Sequence, residues 1–181
     1  MKNIDWSNLP FGYMRTDYNV RCYYRNGEWG ALELCSEETI NLHMAATCLH
    51  YGQEGFEGLK AYRGKDGKIR IFRPEANAER LQSTCRGILM PELPTELFVN
   101  AVKKVVKANE RFIPPYESGA ALYIRPLLIG TSAQVGVHPA SEYLFVIFVT
   151  PVGPYFKGGF ATKPLFILSQ IRREGPLGKC Y

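Results

Sequence analysis

No apolar run in this chain approaches the roughly 18 residues that a bilayer-spanning helix needs. The opening Met1-Lys2-Asn3-Ile4-Asp5-Trp6 also lacks an apolar signal region. A cytoplasmic protein with no membrane role is therefore expected. Cysteine is sparse and odd in number: Cys22, Cys35, Cys48, Cys85 and Cys180 include no Cys-x-x-Cys pair. That argues against a disulfide framework or a metal site, and reduced, partly buried thiols are expected. Charge of one sign is scarce as well. The net charge is +5, with Lys and Arg dispersed in short pairs such as Lys103-Lys104 and Arg172-Arg173. A nucleic-acid partner would need a basic stripe and a recognisable binding motif, and the chain has neither. Attraction to small anions is the most this charge supports. Low-complexity composition is missing too, since charged residues are 22% and hydrophobic ones 46%. At 181 residues the chain can bury one good core, with room for an appendage.

What the chain does have centres on His50-Tyr51-Gly52-Gln53-Glu54-Gly55-Phe56-Glu57-Gly58-Leu59-Lys60-Ala61-Tyr62. Glycines at 52, 55 and 58 lie among rigid aromatics, which describes a tight turn that presents flat apolar walls. The spacing matches neither the phosphate loop nor the dinucleotide fingerprint. Around this stretch the elements follow from local chemistry. Residues 1–20 read as a surface arm. Strands are predicted at 20–25 and 28–34 around an Asn26-Gly27 hairpin turn, with a short one at 42–44. Another hairpin is predicted from 59–63 and 68–72 around Asp66-Gly67. Pro74 and Glu75 open a helix whose Ala78, Leu81, Cys85 and Ile88/Leu89 recur at helical spacing. Thr95-Glu96 opens a second, with Phe98, Val102, Val105 and Ala108 on its apolar face. Residues 120–129 and 142–150 are the strongest strands, the second apolar enough to be buried on both faces. The expected architecture is α+β: an antiparallel-rich sheet with two helices packed on one face. His43 and His50 read as hydrogen-bonded structural histidines, because no second ligand stands at a fixed offset. By composition, Arg125 reads as an edge-strand arginine with its head in solvent.

His50-Tyr51-Gly52, Phe56-Glu57-Gly58, the Asp66-Gly67 hairpin and Arg73-Pro74-Glu75-x-x-x-x-Arg80-Leu81 closely resemble the branched-chain amino acid aminotransferases. These are class IV enzymes dependent on pyridoxal 5′-phosphate. Tyr123-Ile124-Arg125-Pro126 and Gly136-Val137-His138-Pro139 fit the branched-chain member better than its D-amino-acid aminotransferase and aminodeoxychorismate lyase cousins. The resemblance covers essentially the whole chain, but only the front part of the family's sequence. It implies the family's small domain over 1–151, an interdomain linker over 152–163, and the start of a truncated pyridoxal-phosphate-binding domain over 164–181.

The resemblance also implies roles. Arg80 would pair with the cofactor phosphate. Phe56, Tyr123, Arg125 and Tyr155 would line the substrate pocket, with Arg125 answering the second carboxylate of glutamate or 2-oxoglutarate. Tyr51 and Val137 would reach in from the other subunit of a homodimer. The parent reaction would move an amino group from leucine, isoleucine or valine to 2-oxoglutarate. The Schiff-base lysine is expected just beyond Tyr181, Lys179 reads as an ordinary tail residue, and no catalytic residue is assigned. The chain alone is thus expected to be inactive and to hold the cofactor poorly. Competing readings are another class IV activity on the same fold and a non-catalytic interaction domain.

Overall fold

The structure, a computed structural model, describes residues 4–154. Its axis is formed by the two most apolar segments. Strand β7 (Ala121–Gly130) and strand β8 (Tyr143–Val152) pair antiparallel over their full lengths. Alternation then sorts their side chains by face. Leu122, Ile124 and Leu128 of β7 enter the main core with Tyr143, Phe145, Ile147 and Val149 of β8. Ile129, Leu144 and Val146 form a smaller cluster on the other side. β8 is therefore buried on both faces, as its unbroken apolar run predicts.

Around this pair the sheet grows outward. β1 (Asn19–Arg25) lies beside β8, with β2 (Glu28–Trp29) and β3 (Glu33–Cys35) against β1. On the other flank β4 (Glu54–Phe56) and β5 (Leu59–Arg63) both pair with β7, and β6 (Ile69–Ile71) closes the edge. Every pairing is antiparallel, in the order β2-β1-β8-β7-β5-β6. A short helix, α1 (Thr47–Tyr51), precedes β4, and two longer ones, α2 (Pro74–Gly87) and α3 (Thr95–Ala108), cover one face. Ala78, Leu81 and Cys85 of α2 and Phe98, Val102 and Val105 of α3 are all buried there. Burying one such large apolar side chain is worth about 1.5–3 kcal/mol. This is the α+β domain with two helices on one face that the pattern predicts.

The opposite face has neither long helix; Cys48 of the short α1 packs there against Ile129, Leu144 and Val146, and the N-terminal arm runs over another part of it. Met14 N donates to Thr150 Oγ1 at 2.8 Å, and Thr16 Oγ1 donates to Val149 O at 3.1 Å. A clamp at the far end of α3 holds the arm's root. Asn109 is fully buried, accepts at Oδ1 from Asp17 N and Tyr18 N, and donates through Nδ2 to Tyr18 O and Val105 O. All four hydrogen-bonding positions of that amide are filled.

Several details depart from the sequence reading. Residues 42–44 are not a strand, and α1 follows them unannounced. The predicted 28–34 strand splits at Gly30, whose N–H donates to Tyr23 O at 2.8 Å and pulls the chain inward. Ile88 and Leu89 are exposed rather than on the apolar face of α2, because the helix ends at Gly87. Leu89 takes a left-handed φ of 55°, and Met90 N returns to Cys85 O at 2.9 Å, the usual geometry of a helix terminating by a reversed turn. Ala108 is only partly buried. β8 runs through Val152, one residue into the stretch read as linker. The rest of that linker beyond residue 154, the domain start expected over 164–181 and Lys179 within it lie outside the described residues.

Two outcomes follow from this packing. Asn109→Ala removes four hydrogen bonds, three of them to the arm's root, and should cost about 2–4 kcal/mol; the check is the thermal unfolding midpoint, together with faster proteolysis at residues 9–18. Burial pushes the thiols of Cys22 and Cys85 up to about 11, so their reactive thiolates form only well above neutral pH. Iodoacetamide at mildly alkaline pH should therefore spare both in the native protein, and mass spectrometry should find them labelled only after denaturation.

Candidate functional site

The sheet face opposite α2 and α3 carries the chemistry. On β7, Tyr123 and Arg125 alternate with the core residues Leu122 and Ile124, so both project onto that face. β4 pairs with β7 so that Phe56 stands opposite Leu127. The Arg125 guanidinium lies 4.6 Å from the Phe56 ring centroid and 5.1 Å from that of Tyr123, and its Nε donates to Tyr123 Oη at 3.0 Å. Among the described residues, no carboxylate pairs with it. Aromatic faces offer a guanidinium about 0.5–2 kcal/mol each, well short of what a carboxylate in a water-poor site supplies. The arrangement is a cation held in an aromatic frame, with its outer N–H groups uncommitted to any acid among the described residues.

More aromatics enclose this frame. The Phe11 ring meets Tyr123 edge-on at 5.7 Å, and Tyr13 meets Phe148 edge-on at 6.1 Å. Phe148 is the register partner of Arg125 on β8. Tyr13 Oη donates to Glu38, and loss of solvent together with that carboxylate pushes its pKa up to about 12, so it remains a donor. Beyond Phe148 the face opens into a cavity of about 170 Å³ floored by Ile40, Leu127 and Val146. Phe11, Tyr13 and Phe148 escape sequence reasoning. Their placement needs the β7–β8 register and the path of the arm, and neither is written in local periodicity.

All three glycines in the central stretch have a structural reason, and at Gly55 a Cβ would stand 3.1 Å from Thr84 Cγ2 of α2. Gly52 ends α1 with a left-handed φ of 60°. A Cβ on Gly58 would stand 2.6 Å from Tyr123 Oη, so only glycine lets that hydroxyl reach Arg125. What was read as one tight turn is thus a helix cap, a strand and a close approach in succession.

Arg80 sits on the helix side of the same corner. Its Nε donates to Glu57 Oε1 at 2.7 Å and its Nη2 donates to Oε2 of the same carboxylate, which belongs to the residue after Phe56. Phe56, Tyr123 and Arg125 are therefore brought together, and Arg80 is tied to their corner through Glu57. Tyr51 and Val137 lie elsewhere. They share a surface pocket with Leu89, His138 and Pro139 near the end of α1, 41% and 87% exposed respectively. Tyr51 Oη donates to Val135 O. His43 Nδ1 accepts from Ala45 N at 3.1 Å and His50 Nε2 is 2.7 Å from Met44 O, both structural uses. Tyr155 lies outside the described residues.

No family model matches the chain. Among curated proteins it is 52% identical to a branched-chain-amino-acid aminotransferase of Haemophilus influenzae over 178 residues, covering 98% of this chain and 52% of that protein. It is 49% identical to the protein of the same name from Helicobacter pylori, covering 98% of this chain and 53% of that one. A chloroplastic branched-chain-amino-acid aminotransferase of Arabidopsis thaliana is 47% identical, with 98% and 43% covered. The chain thus spans about half the length of the curated relatives it matches, and corresponds to their N-terminal part. The fold is also found in the crystal structure of the Escherichia coli branched-chain amino acid aminotransferase, with a TM-score of 0.60 at 25% identity, over 77% of this chain and 41% of that one. A branched-chain aminotransferase of Thermoproteus uzoniensis, solved with norvaline, gives a TM-score of 0.59 at 26% identity, over 76% and 43%.

The Gly58 contact is directly testable. Gly58→Ala should keep the fold while displacing the Tyr123 hydroxyl from Arg125. The Arg125 Nε–H should then exchange with solvent about fivefold faster in arginine-detected NMR, as the loss of one hydrogen bond implies. Unchanged exchange would show that the hydroxyl contact is not what holds the guanidinium.

Proposed function

Because this chain belongs to the family of the branched-chain-amino-acid aminotransferases, we propose that it forms the substrate-facing wall and the phosphate grip of a pyridoxal-5′-phosphate-dependent transaminase. Its substrates are leucine, isoleucine and valine on one side, with 2-oxoglutarate and glutamate on the other. The observation that carries this reading is Arg125, framed by Phe56 and Tyr123 and without a carboxylate partner among the described residues. Such a pocket suits both an aliphatic chain, which packs on the rings, and a second carboxylate, which the guanidinium answers.

Arg80 fits the phosphate of the cofactor. Its side chain is 67% exposed while Glu57 fixes one edge of its fork, which leaves the other edge to grip two phosphate oxygens. When bound, pyridoxal phosphate would supply the electron-withdrawing ring that transamination requires. The remaining work belongs to this chain's side chains. Phe56, Tyr123 and Phe11 exclude water around the aliphatic group, and the Tyr123 hydroxyl holds the Arg125 fork square to the incoming acid. Tyr51 and Val137, exposed and apart from this cluster, complete the pocket of a second copy in a homodimer. Tyr155 is assigned to the same wall. The cytoplasm is the compartment that suits free thiols and diffusible amino-acid substrates.

The test is titration with 2-oxoglutarate and, separately, with 4-methyl-2-oxopentanoate, following the Arg125 Nε and Phe56 ring resonances. Both ligands should shift both signals. Arg125→Met should weaken the dicarboxylate by about 10- to 100-fold, as expected for one lost charged hydrogen bond, and the monocarboxylate by less. Equal weakening of both, or a response to D-alanine in their place, would contradict the assignment.

A further inference from the structure

The proposed site leaves one buried charge without a role. Glu57 follows Phe56, and alternation turns its side chain the opposite way, toward α2, where it is 3% exposed. A carboxylate so buried must be paired. Arg80 Nε donates to Oε1 at 2.7 Å, Arg80 Nη2 donates to Oε2, and Asn77 Nδ2 donates to Oε2 at 2.8 Å. The residue's own N–H is tied to Pro126 O at 2.9 Å, one residue beyond Arg125 on β7. The carboxylate is therefore fixed by the sheet, and the guanidinium that reaches it is fixed by the carboxylate. Arg80 otherwise projects into solvent.

We propose that Glu57 is a positioning residue. Its carboxylate locks the Nε–Nη2 edge of Arg80, so that the Nη1–Nη2 edge is aimed in advance at a phosphate monoester. This rests on the reading of Arg80 as the phosphate-binding group. An arginine that grips an anion from a freely rotating state gives up side-chain freedom on binding, whereas one clamped during folding has given it up already. Glu57 also carries a negative charge close to where the phosphate would sit, and by Coulomb's law alone it opposes anion binding. The two effects have opposite signs, which makes the role measurable. A carboxylate that merely fastens α2 to β4 would, when neutralised, leave phosphate affinity unchanged or raise it. A positioning carboxylate would lower it, despite the added net positive charge. Asn77, three residues before Arg80 on the same helix face, steadies the carboxylate without touching the guanidinium's bonds.

The experiment is arginine-detected NMR of the unmodified chain, Glu57→Gln and Asn77→Ala, each titrated with inorganic phosphate at constant ionic strength. Arg86 and Arg111, exposed and paired elsewhere, are the internal controls. Phosphate should shift the Arg80 Nε signal in the unmodified chain. Glu57→Gln should weaken that binding about fivefold, which is about 1 kcal/mol, and bring Arg80 Nε–H exchange to the rate of a solvated arginine. If Glu57→Gln fails to melt cooperatively, Asn77→Ala decides the matter. It retains both Arg80–Glu57 bonds and should weaken phosphate about twofold. Equal or tighter phosphate binding in the variant that folds overturns the inference and leaves the reading of Arg80 standing. No phosphate response at Arg80 in the unmodified chain overturns that reading, and the inference with it.

Discussion

A guanidinium on an inner strand of a sheet must have its charge answered, and in this protein nothing acidic among the described residues answers that of Arg125. β7 lies between β8 and the β4–β5 flank, so Arg125 cannot escape to an edge. Two aromatic rings and one tyrosine hydroxyl hold it in place. Those contacts fix its direction while leaving its charge largely uncompensated. The rest of the face follows from this. The two long helices gather on the other side, the arm brings Phe11 and Tyr13 over the rings, and Gly58 stays bare so that the hydroxyl can approach.

Strand alternation links this face to the helix side within two residues. Phe56 points toward Arg125, and Glu57 points toward Arg80. A ligand carrying a carboxylate at one end and lying near a phosphate would therefore be read by neighbouring residues of one short strand end. Rigidity here comes from the sheet. The β4 backbone is paired to β7 from Glu54 to Phe56, and the next amide is bonded to Pro126. Sites carried on paired backbone hold their geometry better than sites on free loops.

Much of this was legible in the sequence, for identifiable reasons. The β7 and β8 strands, both long helices and the Asp66-Gly67 hairpin follow from periodicity and turn chemistry, which are local. The grouping of Phe56, Tyr123 and Arg125 came from motif resemblance, since composition alone placed Arg125 at an edge with its head in solvent. The burial of β7 corrects that reading. Helix α1 went unseen because five residues carry no helical period. Glu57 stands inside the Phe56-Glu57-Gly58 motif with no role legible from sequence, because a lone carboxylate announces its burial only when the opposing helix is in place. Phe11, Tyr13 and Phe148 depended on strand register and on how the arm lies. These are long-range facts with no local signature.

The most direct measurement is a crystal structure of the protein grown with 2-oxoglutarate. The account predicts density for the dicarboxylate against the Phe56 and Tyr123 rings, with one carboxylate bonded to the outer edge of Arg125. Density for the acid elsewhere, with Arg125 paired to a carboxylate of the protein itself, would contradict it.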